Sequence, residues 1–261
     1  MDRPCEIRRS GNALVVGDES GRIIYFEMTN AFIGESPKGE HRAQRGRPTQ
    51  AQRVYEQLRD QVIHCELAPG TKLNISSLVE RHEASLGAVR EALAMLEKDG
   101  LVLSEPQKGY AVRPVSSADL LDLTFARIEI EKACVASSLA RGDLEWESAL
   151  VASYHRTLRL NRSAQGIFNH SDPRWIAAHE TFHAALVAAC ESERLLAIRA
   201  VLYRQSERYR HLSTVFSAER DVDAEHARLL QAALDRDIPR AQMLIAAHIG
   251  ATAEALIDAN F

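Results

Sequence analysis

Apolar residues recur at helical spacing from Thr49 onward. Val54, Leu58 and Val62 lie four apart and line one face of a first helix that the Leu67-Ala68-Pro69-Gly70 breaker ends. Ser76 is a good cap for a shorter second helix carrying Leu78 and Val79 to about Glu83. A third helix starts near Ser85, repeats Val89, Ala92, Leu93 and Leu96 on its inner side, and stops at Gly100, where a left-handed residue is wanted. Leu101-Val102-Leu103 and Tyr110-Ala111-Val112 flank Pro106-Gln107-Lys108-Gly109, the pattern of a hairpin.

Beyond Ser116 the pattern is helical throughout. One helix runs from a Ser116 or Ser117 cap to Arg141-Gly142, and further stretches cover roughly 143–163, 173–190, 193–216, 220–236 and 238–258. Six amphipathic helices with short connections predict an antiparallel bundle, whose small-molecule sites lie between facing helices. Residues 1–47 differ from both regions. Val15-Val16 and Ile23-Ile24-Tyr25-Phe26 suggest a hairpin, but two short strands bury no core, so a weakly ordered extension is expected. The chain thus divides into an extension (1–47), a region of three helices and a hairpin (48–115), and a bundle (116–261).

Three short helices followed by a hairpin is the order of a winged helix-turn-helix, in which one helix enters the major groove while the others brace it. The fold class is therefore mainly α, a winged helix-turn-helix followed by an all-α bundle. Charge changes this picture only slightly. The chain carries −4 overall, but Lys38 to Val115 holds 12 Lys and Arg against 10 Asp and Glu, so the positive charge gathers at the end expected to meet nucleic acid. Arg42, Arg45 and Arg47 read equally as an arm along DNA or as a solvated linker. No apolar run reaches the roughly 18 to 20 residues of a membrane helix, and Met1 to Ser10 lacks the apolar centre of a secretory signal, which points to the cytoplasm. Cys5, Cys65, Cys134 and Cys190 are scattered without a CxxC pair and read as free thiols.

Two motif sets carry a family resemblance. The first is Leu67-Ala68-Pro69-Gly70-Thr71-Lys72-Leu73, Val89-Arg90-Glu91-Ala92-Leu93, Leu96-Glu97-Lys98-Asp99-Gly100-Leu101-Val102 and Lys108-Gly109-Tyr110; it resembles the GntR family of winged-helix regulators. The second is Arg127-Ile128-Glu129-Ile130-Glu131, Phe182-His183, Glu225-His226 and His248; it resembles the FCD ligand domain of one GntR subclass, with a likeness to its carbon-starvation-type repressors. The resemblance implies a cytoplasmic homodimer on a palindromic double-stranded operator, a repressor whose DNA affinity a ligand changes. It places Arg81, Ser85, Arg90, Lys108 and Gly109 at DNA-contacting positions. One departure stands out: relatives usually read Ser-Arg-Thr-Pro-Val-Arg where this chain reads Ser85-Leu86-Gly87-Ala88-Val89-Arg90, so the operator sequence does not transfer. Taken by itself, Arg90 is a surface arginine paired with Glu91 or Glu97.

The resemblance also places His179, His183, His226 and His248 as ligands of a divalent metal such as zinc or nickel. His179 stands where most relatives carry Asp or Asn. Without a metal, the four would be hydrogen-bonded polar groups in a cavity. Arg127 offers a carboxylate two parallel hydrogen bonds, so a small carboxylic or dicarboxylic acid is the expected effector; a salt bridge to Glu131 is the structural alternative. A competing reading comes from His179-Glu180-Thr181-Phe182-His183, which matches the HExxH signature of zinc peptidases. Two further histidines would crowd out the activated water such an enzyme needs, so no catalytic residue is assigned and no enzyme is expected.

Overall fold

The computed structural model describes residues 48–105, 107–161, 172–213 and 220–259, and three strands within 6–27. The chain separates between Ser116 and Ser117 into two compact units.

In the first unit, β1 (Glu6–Ser10), β2 (Ala13–Gly17) and β3 (Ile23–Glu27) form an antiparallel meander. The expected hairpin is present, with Val15 opposite Tyr25 and Val16 opposite Ile24, and β1 adds a strand that the apolar pattern did not signal. Arg42, Arg45 and Arg47 lie outside the described residues.

The three helices follow as α1 (Gln50–Ile63), α2 (Ile75–His82) and α3 (Leu86–Lys98). Thr49 caps α1 by accepting from the Gln52 amide. The cap of α2 is Asn74, not Ser76: its side-chain oxygen takes the Ser77 amide, which moves Ser76 into the first turn. The first helix ends at Ile63, before the Pro69-Gly70 pair, because Cys65 already has a positive φ of 55°. The end of α3 is a Schellman turn. Gly100, at φ 72°, donates to Glu97, Leu101 donates to Leu96, and both Leu96 and Leu101 are fully buried. The periodic residues Val54, Leu58, Val62, Val89, Leu93 and Leu96 close into one apolar core with Leu101, Val102 and Val112.

The hairpin is β5 (Val102–Glu105) and β6 (Gly109–Val112), with Val102 opposite Val112 and Glu105 opposite Gly109. A short β4 (Lys72–Leu73) pairs with β6 as well, so the sheet order is β4-β6-β5 and the wing is anchored on both sides.

The second unit is the helical bundle: α4 (Ser117–Arg141), α5 (Leu144–Asn161), α6 (Pro173–Leu186), α7 (Glu193–Ser213), α8 (Val222–Leu234) and α9 (Ile238–Asp258). Asp172, Asp221 and Asp237 cap α6, α8 and α9. The first helix of the bundle packs against α7 and α9, α5 against α6 and α8, and α8 against α9. Val135, Leu139, Leu150, Phe182, Leu186, Leu229 and Ile245 form its apolar core. Toward the start of α4 the interior turns polar, with Arg127 and Glu131 buried. Cys65, Cys134 and Cys190 are buried and outside any disulfide among the described residues, and burial, then adjacent Cys190, pushes the Cys134 thiol pKa up to about 12. Among the described residues no helix is long and apolar enough to cross a membrane.

Candidate functional site

Two sets of residues with chemistry to offer emerge, one on the surface of the first unit and one inside the second. On the surface, Ser85 caps α3 by accepting from the Ala88 amide at 3.2 Å. Gln50, the first residue of α1, clamps the turn before it: its amide oxygen takes the Ser85 N–H at 3.0 Å and its amide nitrogen donates to the Glu83 carbonyl at 3.2 Å. That clamp spans more than thirty residues and no local pattern announces it. Glu83 adopts the left-handed conformation that makes the turn tight. Arg81, Ser85, Arg90, Lys108 and Gly109 are all exposed. Arg90 forms no ion pair with Glu91 or Glu97, the partners its sequence neighbourhood offered. Lys108 stands in the turn between Gln107 and Gly109, both with positive φ.

Inside the second unit, His179 and His183 on α6 meet His226 on α8 and His248 on α9, and one ring nitrogen from each lies within 4.8 Å of the others. All four are buried. His179 and His183 approach with Nε2 atoms 3.1 Å apart, close to the separation of two nitrogens that share one cation at about 2.0–2.1 Å. Burial, then neighbouring histidines and arginines, hold His179 and His183 well below the usual imidazole range, so both keep the neutral form a metal binds. The Glu225 carboxylate accepts from His248 Nδ1 at 2.6 Å, which turns the Nε2 lone pair inward. Arg220 grips the same carboxylate at 2.6 Å. Burial raises the Glu225 pKa, but Arg220 and His248 outweigh it and hold the group at about 2. A carboxylate that orients an imidazole, four buried imidazoles and a spacing suited to one ion together fit a divalent metal.

A cleft of about 490 Å³, open mouth included, lies against this cluster and is lined in part by Arg127, Trp175, His179, Arg210, Arg220 and His248. Trp175 stacks on His179 with ring centroids 4.7 Å apart. Arg127 Nη1 donates to Ser206 Oγ at 2.6 Å, and its guanidinium lies 4.8 Å over the Tyr203 ring. Glu131 pairs with both arginines: its Oε1 makes a long ion pair of 3.8 Å with Arg127 Nε, and its Oε2 takes Arg199 Nε at 2.8 Å. Arg199 also donates to the His183 carbonyl, tying this ion pair to the histidine cluster. Arg127 Nε is buried and has no hydrogen-bond partner among the described residues. Arg210 is forked onto Glu207; burial opposes its charge but Glu207 prevails, so its pKa is raised.

The structure therefore brings the four histidines together and sets Arg127 in the cleft that His179 and His248 line. Arg210, Arg220, Trp175 and Tyr203 were missed. A signal existed: Arg199, Tyr203, Ser206, Arg210 and Ser213 step along α7 by three and four residues, a polar stripe where a bundle helix should turn apolar residues inward. The peptidase reading finds no support. Glu180 is exposed while the histidines on either side of it are buried, so the residue that would activate a metal-bound water is not enclosed with the imidazoles.

Comparison with known proteins agrees with this division. Residues 50–112 match the description "Bacterial regulatory proteins, gntR family", and residues 122–251 match the FCD domain. The chain is 38% identical over 197 residues to the HTH-type transcriptional regulator BphR of Paraburkholderia xenovorans, covering 75% of this chain and 80% of that one. It is 36% identical over 200 residues to the HTH-type transcriptional repressor GlaR of Escherichia coli, covering 75% and 90%. Among solved structures, E. coli McbR/YncC shares the fold at a TM-score of 0.67 and 20% identity, covering 80% of this chain and 98% of the other. These relatives are named as regulators, and none of these names is that of a peptidase. The chain belongs to the GntR family of DNA-binding transcriptional regulators, with an FCD domain following its helix-turn-helix, and is not an enzyme.

Proposed function

We propose that the chain is a cytoplasmic repressor that binds a palindromic operator as a homodimer and whose grip on DNA is set by a small organic acid held in the bundle. Arg81, Ser85, Arg90, Lys108 and Gly109 contact the duplex: Arg90 reads a base edge, and the Ser85-capped end of α3 turns backbone amides toward phosphate. A repressor's action is borrowed from GlaR, which is named as one.

The observation that carries the ligand reading is Arg127, buried and incompletely hydrogen-bonded, in the cleft that His179 and His248 of the histidine cluster line. A divalent ion such as zinc or nickel, held by His179, His183, His226 and His248, would supply a positive centre for an acid's carboxylate. Neutral imidazoles leave that charge undiminished, so the site favours an anion more strongly than one with an aspartate among its ligands. Arg127 takes the same carboxylate through its guanidinium, and a dicarboxylic acid extends its second group toward Arg210. Because Arg127 is hydrogen-bonded to α7 through Ser206, an acid drawing on it biases how α4 and α7 pack, and that packing is the element coupled to DNA affinity.

The test is metal analysis of the purified protein, followed by thermal shifts with a series of mono- and dicarboxylic acids. An acid that binds raises the melting temperature, Arg127→Ala removes the shift, and Arg90→Ala keeps it. A shift of equal size in Arg127→Ala refutes the ligand reading. Failure of the protein to retard any fragment of its own upstream region refutes the regulator reading.

A further inference from the structure

Two residues at the start of α3 lie on its exposed surface. Leu86, the first residue of the helix, is 50% exposed. Gly87 follows it, and a Cβ built there would meet nothing within 4 Å. Glycine in a helix is less favourable than alanine, its φ here is not positive, and no neighbour needs the space. Arg90 lies one turn on from Leu86 and on the same side of α3, exposed and without an ion-pair partner among the described residues. An apolar side chain, a gap and a cation thus adjoin on the outward surface of the helix that Gln50 and Ser85 fix in place.

Resting on the DNA-binding reading of α3, we infer that Leu86 is a specificity residue that packs on the 5-methyl group of a thymine, and that Gly87 lets the helix backbone approach the groove closely enough for that contact. In the major groove only thymine carries a methyl, and apolar side chains recognise it, whereas Arg reads guanine O6 and N7. With Arg90 one turn away, each half-site holds a thymine within a base pair or two of a guanine. The side chain at position 86 offers no hydrogen bond, so the selectivity there comes from excluding water around a methyl and not from donor geometry.

The experiment uses the full chain and a random duplex library. Sequences selected by binding are resynthesised with each thymine replaced in turn by deoxyuridine, which removes the methyl and nothing else. Wild type should lose roughly fourfold in affinity at one thymine per half-site, the loss expected for exposing one methyl-sized group. Leu86→Ala should bind the thymine site more weakly by a similar factor and be indifferent to the uracil change. Gly87→Ala should raise the melting temperature yet weaken DNA binding, the reverse of what a glycine needed by the fold would do. Wild type that is indifferent to deoxyuridine at every position, or Leu86→Ala that responds as wild type does, overturns the inference while leaving the regulator reading standing. A library that yields no enriched sequence overturns both.

Discussion

The two units place their polar chemistry on opposite sides of their cores. In the first, the interior is apolar apart from Asp99, which accepts from the buried Tyr55 hydroxyl: Leu58, Val89, Leu93 and Leu96 are fully buried, while Arg81, Ser85, Arg90 and Lys108 stand outside. In the second, the interior is where the charge lies, with Arg127, Glu131, Arg199, Arg208 and four histidines buried beside an apolar core. A duplex is too large to enter a protein, so a DNA-reading domain can keep a dry core and equip its surface. A small anion has to be desolvated to be bound tightly and selectively, so a sensing domain gives up part of its core to paired charges.

That contrast can be tested by stability. The largest effect is expected in the bundle. Glu131→Ala leaves Arg199 buried without its carboxylate and should cost about 3–5 kcal/mol. Denaturant unfolding followed by a probe of the second unit measures it; a cost under 1 kcal/mol would show that water reaches this interior. In the first unit the corresponding lesion is a cavity. Leu93→Ala, at a fully buried site, should cost about 2–5 kcal/mol and abolish DNA retardation as the helix-turn-helix unfolds.

Acid separates the two units next. His179 and His183 are held below the usual imidazole pKa of 6.5 in the folded state, so the unfolded chain takes up protons that the native bundle refuses. Stability of the metal-free protein is therefore full above pH 6.5 and falls as the pH drops below it, by up to about 1.4 kcal/mol per pH unit for each such histidine. Melting curves in chelator across pH 5 to 8 should show the bundle transition falling first; a first unit that melts earlier would reverse the comparison. The smallest effect is a cap. Ser85→Ala removes the bond to the Ala88 amide and should cost about 0.5–2 kcal/mol, with DNA affinity falling because α3 frays where it meets the duplex.

Much of the fold was legible because its signals act within one or two helical turns. The stripe of Val54, Leu58 and Val62 and the Gly100 stop reported on residues that touch one another. The second cap was misplaced by two residues because Asn74 and Ser76 are both competent, and what decides between them is where β4 releases the chain. The histidine site was half legible for the same reason: His179 and His183 share a helix face by spacing alone, whereas His226 and His248 were added through resemblance.

By itself, the sequence determined which segments are helical, where α3 begins and stops, and that its outward face carries Arg90. Only the tertiary structure decided that Glu131 binds Arg199 more closely than Arg127, that Arg210 and Arg220 join the same cleft, and that Glu180 is exposed between two buried histidines. The reason is distance along the chain. Periodicity and capping are settled by neighbours three or four residues apart, but a buried charge chooses its partner from whatever helix packing sets against it, and α4 meets α7 only after some seventy residues have intervened.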